Sequence, residues 1–187
     1  MNMTWSEITI GKFREIQSII TDEDFDELTK KVFLYSLMSR QTIEEVRDIP
    51  LGIFLKAYSD SLEFMLEPIP QVIPIAWEHK GVKYKVTTMI NELTAGQYID
   101  LKEYAKEKDN IHKVMAVLCY EGERYDGSTH EARAKLFNDE MPITIAAPLT
   151  AFFLELWKQW SEISLAYSVK VLKESEAEWS STDGLTG

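Results

Sequence analysis

The chain has 187 residues, 45% of them hydrophobic and 27% charged, enough to bury a sizeable interior in one globular unit or in two small units sharing a core. Its 31 acidic and 20 basic side chains leave a formal net charge of -11, which repels nucleic-acid phosphates and anionic membrane surfaces. One cysteine, Cys119, excludes an intramolecular disulfide and reads as a buried, inert thiol in a reducing compartment.

The N-terminal residues Met1 to Glu7 lack the basic and apolar regions of a secretory signal. The first predicted helix follows at Thr9, whose hydroxyl suits an N-cap, although Lys12 stands where a capping box needs Glu or Gln. A second helix is expected to start near Asp22 to Asp24 and to include the apolar run Val32 to Leu37. Asp22, Asp24 and Asp26 sit at positions 1, 3 and 5 of a calcium-loop template, but Glu27 and Phe33 occupy its Gly and bidentate Glu positions, so the template fails. Thr42 and Glu45 form a capping box that opens a short helix, and Pro50 then starts an apolar helical segment containing Phe54 to Leu66.

From Pro68 to Pro74 three prolines in seven residues forbid a helix and mark a linker. Ile75 to Thr87 alternates apolar and polar residues around Gly81, the pattern of a β-hairpin that must pack on a helical half or extend a sheet in a partner. Thr94 with Gln97 is a full capping box, a further helix is expected near Asp109 through the run Val114 to Leu118, and Ser128 with Glu131 suggests another capping box. Pro142 precedes a last helical segment, in which Phe153, Trp157, Trp160 and Tyr167 fall near one stripe. Residues 173–187 are polar and acidic, a composition expected for a tail in which Trp179 and Leu185 could anchor a docking peptide. The most apolar stretch, 143–157, is interrupted by Pro148 and Glu155 and falls short of the roughly 20 residues of a spanning helix.

The chain also repeats itself. Residues 7–16 align without a gap on residues 92–101, both reading Glu, aliphatic, Thr, a small or aliphatic residue, Gly, polar, aromatic. Val32 to Leu37 answers Val114 to Leu118, and Asp48-Ile49-Pro50-Leu51 answers Glu140-Met141-Pro142-Ile143. The expected fold class is therefore mainly α with a small β component (α+β): two related three-helix halves, 1–67 and 91–172, joined by a Pro-rich linker and β-hairpin, 68–90, and followed by an acidic tail, 173–187.

Chemistry is harder to find. His79, His112 and His130 have no metal-ligand spacing with one another or with a second cysteine, and His112 and Cys119, two helical turns apart, are beyond hydrogen-bond reach. The eight glycines form no phosphate-binding loop. No catalytic, cofactor or metal residue is assigned. A binding role through protein contacts is expected instead, and the residues singled out for it are Trp77, Tyr84, Phe153, Trp157, Trp160, Trp179 and Leu185, with the last helix of the second half favoured over that of the first.

At Asn91 to Leu101, preceded by the Lys83 to Thr87 strand and followed by Met141-Pro142-Ile143, the sequence resembles a group of small virion-associated proteins of tailed bacteriophages that infect gut Bacteroidetes, the crAss-like phages. The similarity spans most of the chain and is one of packing, without catalytic letters. It implies a non-enzymatic virion protein, either a neck or tail structural component or packaged cargo. Such a protein would be made in the host cytoplasm and oligomerise with other virion or tail proteins, without cofactor, direct nucleic-acid contact or membrane. The alternatives are a tail assembly chaperone holding the tape-measure protein and, less in keeping with the motifs, a small enzyme with a site between the halves.

Overall fold

The computed structural model describes residues 3–155. Near the N-terminus Trp5 packs edge-on against Phe13 and Phe64, and its indole Nε1 donates to the Glu67 carbonyl at 2.9 Å. Helix α1 (Ile10–Thr21) starts where the Thr9 hydroxyl accepts the Lys12 amide. Helix α2 (Glu27–Ser39) begins later than the sequence suggests. Asp26 is its N-cap, accepting the Leu28 and Thr29 amides, whereas Asp22 spends a carboxylate oxygen on the Asp24 amide in the preceding turn. Helix α3 (Ile43–Arg47) carries the full Thr42/Glu45 capping box, and α4 (Leu51–Leu62) starts directly after Pro50, which needs no amide there.

Strands β1 (Ala76–His79) and β2 (Val82–Val86) pair antiparallel through a two-residue turn, with Trp77 opposite Tyr84 and His79 opposite Val82. Both turn residues have positive φ, Lys80 at 50° and Gly81 at 82°, as a type I′ turn requires. Helix α5 (Ala95–Tyr104) opens on the reciprocal Thr94/Gln97 box. Helix α6 (Ile111–Leu118) then passes straight into strand β3 (Cys119–Glu121), which pairs antiparallel with β2 and makes a three-stranded sheet in the order β1-β2-β3. The sheet is thus extended from within the chain.

Helix α7 (His130–Glu140) starts two residues beyond Ser128 and lacks the expected Ser128/Glu131 box. Asp126 accepts both the amide and the hydroxyl of Ser128, so that hydroxyl is a donor in an Asx-type turn and not a helix cap. Residues 143–155 form α8 after Pro142. The described residues thus hold four α-helices on each side of the hairpin, α1 to α4 and α5 to α8, the three expected and the further helix expected before each Pro motif.

Residues through Thr150 form one compact unit and those from Ala151 belong to a second. The core of the first unit lies where α1, which also packs on α2, meets α7 and α6. Ile8, Ile10, Ile16, Leu101, Met115, Phe137, Met141 and Ile143 are completely buried. Gly11 permits this approach: a Cβ there would come within 2.7 Å of Asn138 Nδ2 and 2.9 Å of the Asn138 carbonyl.

Candidate functional site

Three of the four buried polar side chains among the described residues, Gln97, His130 and Arg133, answer one local problem; the hydroxyl of the fourth, Thr87, has no partner. Beyond His112 and Lys113 helix α6 is apolar on every side, with Val114 to Leu118 all buried, and it becomes a strand without a polar cap. Its last carbonyls cannot reach water and must find donors within the protein. The Met115 carbonyl accepts from the Cys119 amide and that of Leu118 from the Thr87 amide at 2.9 Å. Buried Gln97 donates Nε2 to the Val117 carbonyl at 3.2 Å, and the guanidinium Nε of Arg133 donates to the Ala116 carbonyl at 2.8 Å. His130, stacked on Tyr104 with centroids 4.7 Å apart, bonds the Lys113 carbonyl through Nε2 at 3.1 Å.

Arg133 also donates to the Thr129 hydroxyl at 2.6 Å and to the Asp126 carbonyl at 3.3 Å, and it lies over the Tyr125 ring at 5.2 Å. Beside it opens a cleft of about 410 Å³ lined by Tyr84, Glu121, Asp126, Thr129, Arg133 and Leu136. Two acidic residues on the same wall make it a poor anion site, and three guanidinium nitrogens already serve backbone or hydroxyl oxygens. Burial pushes the Tyr84 hydroxyl up, and burial together with the Asp100 carboxylate it donates to at 3.0 Å does the same to Tyr125. Ser128 holds Asp126 below the usual carboxylate range. These three groups shift away from neutrality, the reverse of what acid-base catalysis at neutral pH requires.

The histidines are dispersed: His79 stacks on Trp77 at 5.1 Å, and His112 is half-buried with its pKa lowered by burial and by Arg14 and Lys113. Among the described residues no three His, Cys, Asp or Glu side chains gather as a metal site, and no helix is long and apolar enough to cross a membrane. Cys119 is fully buried, and burial pushes its thiol up to about 12.

Of the residues read from the sequence as partner-binding, the structure brings two together. Trp77 and Tyr84 stack at 5.3 Å, and both meet Phe137 edge-on at 5.3 and 5.1 Å, so their rings are committed to the chain's own core. Phe153 is buried as well. Trp157, Trp160, Trp179 and Leu185 lie outside the described residues.

Among the described residues the apolar surface that faces solvent is concentrated in the first half and the linker. Leu51 and Ile53 on α4 are 59% and 63% exposed, and Leu28, Leu55, Leu66, Val72 and Ile75 are exposed too. Next to Leu51 an apolar cleft of about 350 Å³ is lined by Leu28, Val32, Val46, Ile49, Leu51 and Phe54. A signal for this was present in Leu51-Gly52-Ile53-Phe54-Leu55, which carries more apolar residues in succession than one helical face can bury.

No family model matches the sequence, and neither does any curated protein or solved structure.

Proposed function

We propose that this chain is a non-enzymatic virion protein of a tailed bacteriophage, a neck or tail structural component or packaged cargo, and that it acts through protein-protein contacts. One observation carries the binding reading: Leu51 and Ile53 stand exposed beside an open apolar cleft. Among the described residues buried Gln97, Arg133 and His130 serve backbone carbonyls of α6, which supports a structural use for them. The phage assignment rests on the resemblance at residues 91–101 and 141–143. The net charge of -11 disfavours direct contact with packaged nucleic acid.

The two halves are read as copies of one helical unit. The matching caps at Thr9 and Thr94, the matching order of four helices, and Pro50 and Pro142 at the start of the fourth helix support this duplication. The hairpin at 76–86 is an insertion at the junction.

Mass spectrometry of purified virions tests the functional proposal. The expected result is the chain at a reproducible copy number in mature particles. Its presence in infected cells but absence from particles would replace the structural or cargo role with that of an assembly chaperone, whose client would meet the same exposed apolar surface.

A further inference from the structure

The cleft beside Arg133 carries polar groups that nothing within the described chain satisfies. Its sheet wall is the cross-strand pair of Tyr84 and Glu121, directly opposite each other in the β2–β3 register, with Asp126 beside them. Its helix wall is one face of α7, where Ala132, Arg133 and Leu136 follow Thr129 at helical spacing. Tyr84 is only 7% exposed, yet its hydroxyl has no hydrogen-bond partner among the described residues and keeps access to the cleft. The Glu121 carboxylate forms no ion pair among them.

Arg133 does not supply what is missing. Its Nε, Nη1 and Nη2 donate to the Ala116 carbonyl, the Thr129 hydroxyl and the Asp126 carbonyl, and its guanidinium lies over the Tyr125 ring, so it pairs directly with neither carboxylate. Asp126, bonded by Ser128, is held ionised. Two carboxylates against one guanidinium leave the lining with one uncompensated negative charge. An anion would enlarge that excess, and an apolar guest would leave the Tyr84 hydroxyl and Glu121 without partners. A monocation removes both deficits. A guanidinium asks for one carboxylate in a bidentate fork, whereas the acceptors here stand on separate residues, which suits the diverging N–H bonds of an ammonium. Ala132, Leu136 and the Tyr84 ring add apolar surface along which a methylene stem can lie.

We propose that this cleft binds a primary ammonium group on a short apolar stem, with the Glu121 carboxylate as its counter-charge and the Tyr84 hydroxyl as a second acceptor. A lysine side chain of a partner protein and a free alkylamine present the same cation. The site uses none of the exposed apolar residues of the first half, so it stands apart from the proposed function and from the phage assignment.

The test follows amide NMR spectra of the full chain at neutral pH. N-acetyl-lysine amide is the peptide-like probe, n-butylamine the free one, and N-acetyl-norleucine amide carries a similar stem without charge. The lysine probe should shift the amides of Tyr84, Glu121 and Ala132 saturably, with a Kd on the order of 1 mM. The norleucine probe should bind at least about tenfold more weakly, and Glu121→Gln should weaken the lysine probe by about tenfold or more, the effect of losing a charged partner. Tyr84→Phe keeps the ring against Trp77 and Phe137 and should cost about threefold. Unchanged urea midpoints show that the variants fold, and if Tyr84→Phe does not, the three probes on the parent chain decide alone.

Absence of saturable shifts up to about 50 mM lysine probe overturns the proposal. So does equal binding of the norleucine probe, equal binding by Glu121→Gln, or the same shifts from sodium chloride at matched ionic strength. With the ammonium site upheld, n-butylamine binding as tightly as the lysine probe assigns the cleft to a free amine, and tighter binding of the lysine probe assigns it to a partner's side chain. Virion content reads the proposed function and these titrations read the cleft, so each can fail without the other.

Discussion

The two glycines of the repeat, Gly11 and Gly96, provide the sharpest test of how the halves differ. Replacing either by Ala removes the helix penalty of glycine, a gain of roughly 0.5–1 kcal/mol. At Gly96 nothing opposes that gain, since the nearest atom to an added Cβ is 3.9 Å away. At Gly11 the Cβ would stand 2.7 Å from Asn138 Nδ2, which a side chain can vacate, but also 2.9 Å from the Asn138 carbonyl, which only a shift of α1 against α7 can relieve. Overpacking of this kind costs about 1–3 kcal/mol. Gly11→Ala should therefore lose about 0.5–2 kcal/mol net, and Gly96→Ala should gain up to about 1 kcal/mol when measured on dilute, monomeric protein. Urea unfolding gives both numbers, as opposite shifts of the midpoint at unchanged slope. In thermal unfolding each kcal/mol moves Tm by about 2–4 °C for a chain of this size. Midpoints that shift in the same direction by the same amount would refute the close approach of α1 to α7, and with it the packing that joins the halves.

Gln97→Leu leaves the Val117 carbonyl without its side-chain donor and the Thr94 amide without its acceptor, and should cost about 1–3 kcal/mol in the same assay; an unchanged midpoint would remove the capping account of α6. Iodoacetamide at pH 8 should leave Cys119 unmodified in the folded chain and alkylate it fully in urea, because burial both shields the thiol and holds it near 12; rapid native labelling would place it at the surface. His112 has a folded-state pKa below its ordinary 6.5, so between the two values the unfolded chain binds more protons, and this group's contribution to stability falls as pH drops through 6.5. His112→Asn should flatten that part of the stability profile, and an identical slope in the variant would exclude the residue. Arg40 ends α2 with φ of 60°, so Arg40→Gly should stabilise by about 0.5–1 kcal/mol, and a loss would show that its side chain matters more than its backbone.

Local signals carried over best where a side chain meets its own neighbouring backbone. The Thr94/Gln97 and Thr42/Glu45 boxes and the turn at Gly81 depend on residues three positions apart or fewer, and each forms as the sequence predicts. The start of α7 was misread because Ser128 has two local partners, Asp126 and the α7 backbone, and spacing alone does not rank them. The strand at Cys119 was hidden inside an apolar run that reads equally as a buried helix, and only pairing with Val86 and Lys85 makes it a strand. The fate of the aromatic residues was less legible still. Trp77 and Tyr84 look like a contact surface on an isolated hairpin, yet Phe137, more than fifty residues away, closes over them. Likewise nothing local says that the Pro142 segment is covered while the Pro50 segment is open, because the cover is α1 crossing from the other half.

That crossing also explains why polar chemistry and apolar surface end up in different halves. Once α1 packs on α7, the second half is closed around α6, and buried Gln97, Arg133 and His130 each bond a carbonyl of α6, whereas the buried Thr87 hydroxyl bonds none. The first half shares α1 between α2 and that contact and keeps Leu51, Ile53 and the cleft beside Ile49 uncovered. Burying Leu51 and Ile53 against an apolar surface is favourable by about 25 cal/mol per Å² of apolar area.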